Sequence, residues 1–145
     1  MITNSDITIY NKCYDEEIQS YSKYKRTYIK GVNIQIDKAV SVGDKGLNTA
    51  DNISVYIPFN ADFSNKKYIK PKEYDKLSDE DKEYYFTIGK GDIIVKGIID
   101  FDITGRDKNT IKYLNDLYDD VYTITNISTN DFGSLSMQHW EVGAK

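Results

Sequence analysis

The chain has 145 residues, 39% of them hydrophobic and 29% charged, with a formal net charge of −4. That is one domain's worth of polypeptide, able to bury about two thirds of its unfolded surface. One cysteine, Cys13, and one histidine, His139, exclude an intramolecular disulfide, a thiolate zinc site and an imidazole cluster.

In chain order, Asp6-Ile7-Thr8-Ile9-Tyr10 opens with strand character and leads into a polar stretch holding Asp15-Glu16-Glu17. Residues 24–36 alternate with period two: Val32, Ile34 and Ile36 face one way, Asn33 and Gln35 the other. Gly31 within this strand marks a bulge. Val40 and Val42 begin a further extended piece that meets the turn-rich Gly43-Asp44-Lys45-Gly46. Residues 52–58 form another alternating strand, ended by Pro58, whose ring cannot donate to a ladder. Residues 59–85 hold almost no aliphatic side chains besides Ile69 and Leu77 and read as a polar excursion with one or two short helices. Pro71 can begin one, and Ser78 before Asp79-Glu80-Asp81 has the form of an N-terminus.

Strand character returns at Phe86-Thr87-Ile88, turns at Gly89-Lys90-Gly91, and resumes over 92–103, where Ile93, Ile94, Val95, Ile98 and Ile99 crowd together as in a central strand. Ile111, Leu114 and Leu117, extended by Tyr118, have helical spacing. Residues 121–127 and 135–142 then form a hairpin, joined by a loop at 129–133. Its closing strand sets Leu135, Met137 and His139 on one face, with Ser136, Gln138, Trp140 and Val142 on the other. The expected fold is β-rich α+β: a small antiparallel barrel or rolled sheet in one domain, with the long excursion and one short helix after it.

Few residues carry a chemical signature. Both glycine pairs lack the spacing of a phosphate loop, and Asp100, Asp102, Asp107, Asp116, Asp119 and Asp120 lack the Gly-centred loop and terminal Glu of a hand-type calcium site. No cofactor or metal is expected. His139 beside Trp140 is either a packing residue or a general base, and packing is preferred because the sequence shows no orienting partner. Cys13 reads as a buried free thiol. Lys23, Lys25, Arg26 and Lys30, interleaved with Tyr21, Tyr24 and Tyr28, have a composition that could bind nucleic acid, and a solvated strand face is the preferred reading.

Several segments together resemble an uncharacterised family of small structural proteins encoded by tailed phages and prophages: Met1-Ile2-Thr3-Asn4, Tyr24-Lys25-Arg26-Thr27, Gly43-Asp44-Lys45-Gly46-Leu47, Leu77-Ser78-Asp79-Glu80, 91–97 and His139-Trp140-Glu141-Val142-Gly143. The C-terminal half, with Tyr118-Asp119-Asp120-Val121-Tyr122-Thr123-Ile124, is similar to that of head-closure, or head–tail connector, proteins. The resemblance implies a non-enzymatic virion component at the neck or tail, made in the host cytoplasm: a homo-oligomeric ring joining portal and adaptor to the tail. DNA would pass its lumen without sequence-specific binding. A tail-completion or tail-terminator subunit shares much of this description. Outside the resemblance, a nucleic-acid-binding module and a His139-based hydrolase stay open.

No membrane contact is expected, because no run approaches the roughly 18 apolar residues of a span. Residues 1–6 also lack the pattern of a secretory signal. The composition fits a ring subunit in one respect. Thirteen tyrosines against 5 Phe and 1 Trp supply contact area at low entropic cost, and a ring subunit needs two heterologous sides. Tyr24, Arg26, Tyr28, Tyr68, Tyr74, Tyr84, Tyr85, His139 and Trp140 are the expected interface residues. Acidity grows toward the C-terminus, and an acidic lumen would ease DNA passage.

Overall fold

A computed structural model describes residues 3–43 and 46–145, and for 37–51 the backbone course alone. The strands are β1 (Ser5–Asp15), β2 (Ser20–Gly43), β3 (Gly46–Pro58), β4 (Lys67–Tyr68), β5 (Tyr85–Phe86), β6 (Ile93–Lys96), β7 (Val121–Asn130) and β8 (His139–Ala144). Two short helices, α1 (Pro71–Asp75) and α2 (Ile111–Leu117), complete a β-rich α+β fold. The main sheet is antiparallel in the order β1-β2-β3-β8-β7-β6, and β6 pairs onto β1 from Ile7↔Lys96 to Tyr10↔Ile93. β4 and β5 form a separate parallel pair.

The period-two pattern of β2 buries Val32 and Ile34 as expected but leaves Ile36 43% exposed, and the bulge is realised. Ser5 pairs with Val32 but Asp6 with Lys30, leaving Gly31 as the extra residue at φ +87°. A Cβ there would be strained by the backbone alone. Asn4 continues the edge beyond the bulge: its side chain accepts from the Ile34 amide and donates to the Ile34 carbonyl.

β1 is buried on both faces, so its inward and outward residues serve different cores. Ile7 and Ile9 join Ile29, Val32, Val55, Ile57, Ile94 and Val142 in the interior cluster. Tyr10 lies in a second cluster with Ile93, Val95, Ile103 and Leu114, covered by Phe101, Ile111 and Tyr118. Its hydroxyl donates to the Phe101 carbonyl at 2.6 Å. Helix α2 thus packs on the outside of the β1–β6 seam. Thr110 caps it by accepting from the Tyr113 amide.

The excursion at 59–85 is polar outside and aromatic inside. Phe59, Phe63 and Tyr68 surround Trp140, with ring centroids 4.4, 6.0 and 4.6 Å away, and Phe63 stacks on Phe86 at 4.9 Å. The Lys66 ammonium pins the segment to β2, donating to the Arg26 carbonyl and Thr27 hydroxyl at 2.9 Å each. Its two short helical pieces are α1, with Pro71 at its start, and a 3₁₀ turn at Asp81–Glu83. The Ser78 hydroxyl accepts from the Asp81 amide before that turn.

Several sequence expectations are corrected. The strand expected over 92–103 is only Ile93–Lys96, because Gly97 turns away at φ +96° to donate its amide to Asp6. Ile98 is consequently exposed. Thr87 and Ile88 are buried but lie outside β5. Leu117 is 54% exposed, the helical stripe running from Ile111 through Leu114 to Tyr118 instead. Leu135 and Met137 belong to an exposed 3₁₀ turn, and the closing strand starts at His139, burying Trp140, Val142 and Ala144 on one face. The turn expected at 43–46 centres on residues 44 and 45, which lie outside the described residues.

Trp140→Ala removes the ring on which three aromatics converge and is expected to cost about 3–5 kcal/mol, read as a lower urea midpoint with the slope unchanged.

Candidate functional site

The nine residues expected at an interface do not form one surface. Tyr74 is 1% exposed and Trp140 6%, which corrects both: each ring is committed to the monomer's interior. The Tyr74 hydroxyl lies 3.9 Å from Cys13 Sγ, and the Lys82 ammonium sits 5.2 Å from the Tyr74 ring centroid. Burial raises the Cys13 thiol and the Tyr74 phenol above their ordinary ranges. Tyr68 is half-buried against Trp140. Tyr24, Arg26, Tyr28, Tyr85 and His139 are half-buried, and Tyr84 is 69% exposed. Of all thirteen tyrosines, only Tyr14, Tyr21 and Tyr84 are exposed.

The basic strand carries its own counter-charges. Lys23 pairs with Asp79 at 2.8 Å, Lys25 with Glu83 at 2.7 Å and Arg26 with Asp102 at 2.8 Å. Asp79 and Glu83 come from the excursion, and hydrogen bonds from Lys23 and Lys25 lower their carboxyl pKa values. Pairs this exposed contribute little stability, but they neutralise the face that phosphates would need. The Arg26 guanidinium also lies 5.4 Å over the Tyr28 ring.

Among the described residues His139 has no carboxylate as a hydrogen-bond partner. Nδ1 is 2.8 Å from the Met137 carbonyl, Nε2 is 3.0 Å from the Asn130 side-chain nitrogen, and its ring lies 5.7 Å from Tyr56. These contacts orient the ring as a strand-end packing residue.

A cleft of about 590 Å³ is lined by Tyr14, Asp15, Glu17, Lys23, Lys82 and Arg106 among others. Arg106 bridges Asp15 at 3.0 Å and Glu17 at 2.7 Å. Burial opposes ionisation of Asp15, but the Glu17 amide and the Arg106 guanidinium outweigh it and hold the carboxyl below its usual range. Charge in this cleft is largely spent on internal pairing. Among the described residues no three His, Cys, Asp or Glu side chains are grouped to hold a metal ion.

The most perturbed carboxylate is Asp92, 2% exposed. Its Oδ1 accepts from the Lys12 amide at 3.0 Å, and its Oδ2 from the Asn11 side chain and the Gly89 amide at 2.9 Å each. Asn11 also spans Thr87, donating to its carbonyl and accepting from its amide. Burial drives the Asp92 pKa from 3.8 to about 6 against the pull of those donors. The network ties β1 to the turn before β6, a structural role that spacing alone does not reveal.

Sequence reasoning missed the largest open feature. β2 and β3 pair through Gly43↔Gly46, but β1 leaves β2 at Val32, and β8 leaves β3 at Ile53↔Ala144. Seven further pairs, Asp37↔Asn52 to Gly43↔Gly46, therefore form roughly 20 Å of two-stranded ribbon, with no other strand beside it among the described residues. The signal was the continuity of 24–43, which reads as two pieces if Val40 and Val42 are separated from Ile36. At the other end of the sheet, Phe132, Leu135 and Met137 are 75, 79 and 61% exposed on the β7–β8 connection, an apolar tip of the kind that marks contact sites.

Because the folded Asp92 pKa lies above the unfolded one, its contribution to stability is full below about pH 4 and is lost as pH rises through about 6. Relative to Asp92→Asn, the wild type is expected to lose up to about 3 kcal/mol between pH 4 and 7, measured by urea unfolding of both chains across that range.

No curated protein and no solved structure matches the chain. A family model matches residues 2–145, nearly the whole polypeptide, and the chain belongs to that family, a family of unknown function (DUF6751).

Proposed function

We propose that this chain is a structural subunit of a tailed-phage particle, a connector ring subunit at the head–tail junction, whose rolled sheet is the small barrel body of the ring. The observation that carries this reading is the β2–β3 ribbon, which pairs with no other strand among the described residues. An isolated two-stranded ribbon is marginal in water, so its length is best accounted for by a neighbour that covers it. The internally paired charges of the cleft and of the basic strand favour assembly over catalysis or phosphate binding. The resemblance to phage neck proteins supplies the setting. A tail-completion subunit would use the same body and ribbon from the tail side of the junction.

Imaging of particles with a tag on this chain is expected to place closed rings of it between portal and tail. Complete necks or tails lacking this polypeptide overturn the reading. A chain with 39–50 replaced by a tight turn is expected to keep its thermal midpoint within a few degrees yet fail to enter particles, because among the described residues the backbone there pairs only within the ribbon.

A further inference from the structure

The sheet has a second open feature that complements the ribbon. β7 pairs with β6 only from Val121 to Thr123, and the last backbone bonds on that side join Ile124 to Gly91 and Asp92. From 125 to 130, β7 has β8 on one side and, among the described residues, no strand on the other. Thr125, Asn126, Ser128 and Thr129 are exposed. A cavity of about 360 Å³, lined by Ile127, Pro71 and Tyr74 together with Lys12, Lys72 and Lys90, opens beside this edge.

Natural sheets blunt open edges with charge, proline or a covering element. The whole of β7, Val-Tyr-Thr-Ile-Thr-Asn-Ile-Ser-Thr-Asn, contains no charged residue and no proline. A strand edge without charge or proline of its own is a template for strand addition. We propose that the β7 edge at 125–130 receives the β2–β3 ribbon of a second copy of this chain, paired backbone to backbone. This deepens the assembly reading above and rests on it.

Three observations select the ribbon of another copy as the occupant. It is the other long stretch of the main sheet whose outer edges are open, and its charges nearly balance, with two lysines against three aspartates over 37–52. Its direction excludes self-pairing: the ribbon departs where Ile53 meets Ala144, whereas the β7 edge runs from Ile124, also opposite Ala144, the other way to Asn130. A symmetric ribbon-to-ribbon dimer would leave the β7 edge open, but a head-to-tail contact covers both features in every subunit. Such a contact is heterologous and closes into a ring when its rotation permits. The exposed Phe132, Leu135 and Met137 continue beyond the edge, where they extend the docking face.

Disulfide trapping in the full-length chain tests this. Ser41→Cys and Thr129→Cys chains, each retaining the buried Cys13, are oxidised separately and mixed. A disulfide dimer found in the mixture and in neither chain alone is expected, and adding Ser128→Lys to the Thr129→Cys chain abolishes it with the thermal midpoint unchanged. Dimers of Ser41→Cys alone, no dimer in the mixture, or trapping that survives Ser128→Lys overturn the proposal. Rings imaged in particles without this disulfide pairing overturn the edge assignment while leaving the connector reading intact.

Discussion

The fold depends on how β1 is held between two strands at once. It pairs with β2 over most of its length but with β6 over only Ile7 to Tyr10. So short a ladder has little to fix its register against a one-residue slip, which would exchange the faces of Ile7 and Ile9 with those of Thr8 and Tyr10. The buried Asp92 carboxylate supplies that register: it gathers amides from β1 and from the turn before β6, while Asn11 grips Thr87. A buried charge is costly unless saturated with donors. Here saturation comes from two segments eighty residues apart in sequence, so the network is satisfied only when the seam is correctly joined.

From that seam outward, the molecule is built in two cores. The interior is mostly aliphatic and is sealed at one side by aromatic rings of the excursion around Trp140. The exterior cluster lies under α2 and the loop carrying Phe101. Charged residues of the excursion face away from the rings and pair with the lysines of β2, so one segment closes the core and neutralises the neighbouring strand. Two stretches of the main sheet keep outer edges that pair with no other strand among the described residues: the ribbon beyond Ile36 and the outer edge of β7. Their unpaired N–H and C=O groups, with the apolar tip near Leu135, are the features through which assembly is proposed.

The local pattern made much of this legible. Alternation in 24–36, the bulge at Gly31, the stop at Pro58 and the turn at Pro71 follow from side-chain period and the backbone limits of glycine and proline. Expectations failed where long-range packing decided between local equals. Ile98 and Ile99 look like strand residues until Gly97 turns the chain, and Leu117 fits the helical spacing but is left out of the stripe that α2 packs. Tyr74 and Trp140 look like contact rings because tyrosine and tryptophan serve both cores and interfaces. Their neighbours, Cys13 for the one and Phe59, Phe63 and Tyr68 for the other, lie more than about sixty residues away in sequence, so no window shows them.

The surplus of tyrosine also has a more exact meaning in the folded chain. Two of the thirteen rings are interior and three exposed, while the rest lie half-buried along strand faces and loop seams. The sequence by itself determined a β-rich fold, its main strand segments, and the exclusion of an intramolecular disulfide or an imidazole cluster, because these depend on composition and on periodicities local to a few residues. Only the tertiary structure decided which edges stay open, which charges cancel and where Asp92 is buried. Those outcomes depend on which strands become neighbours, and strand partnership is fixed by packing between segments tens of residues apart.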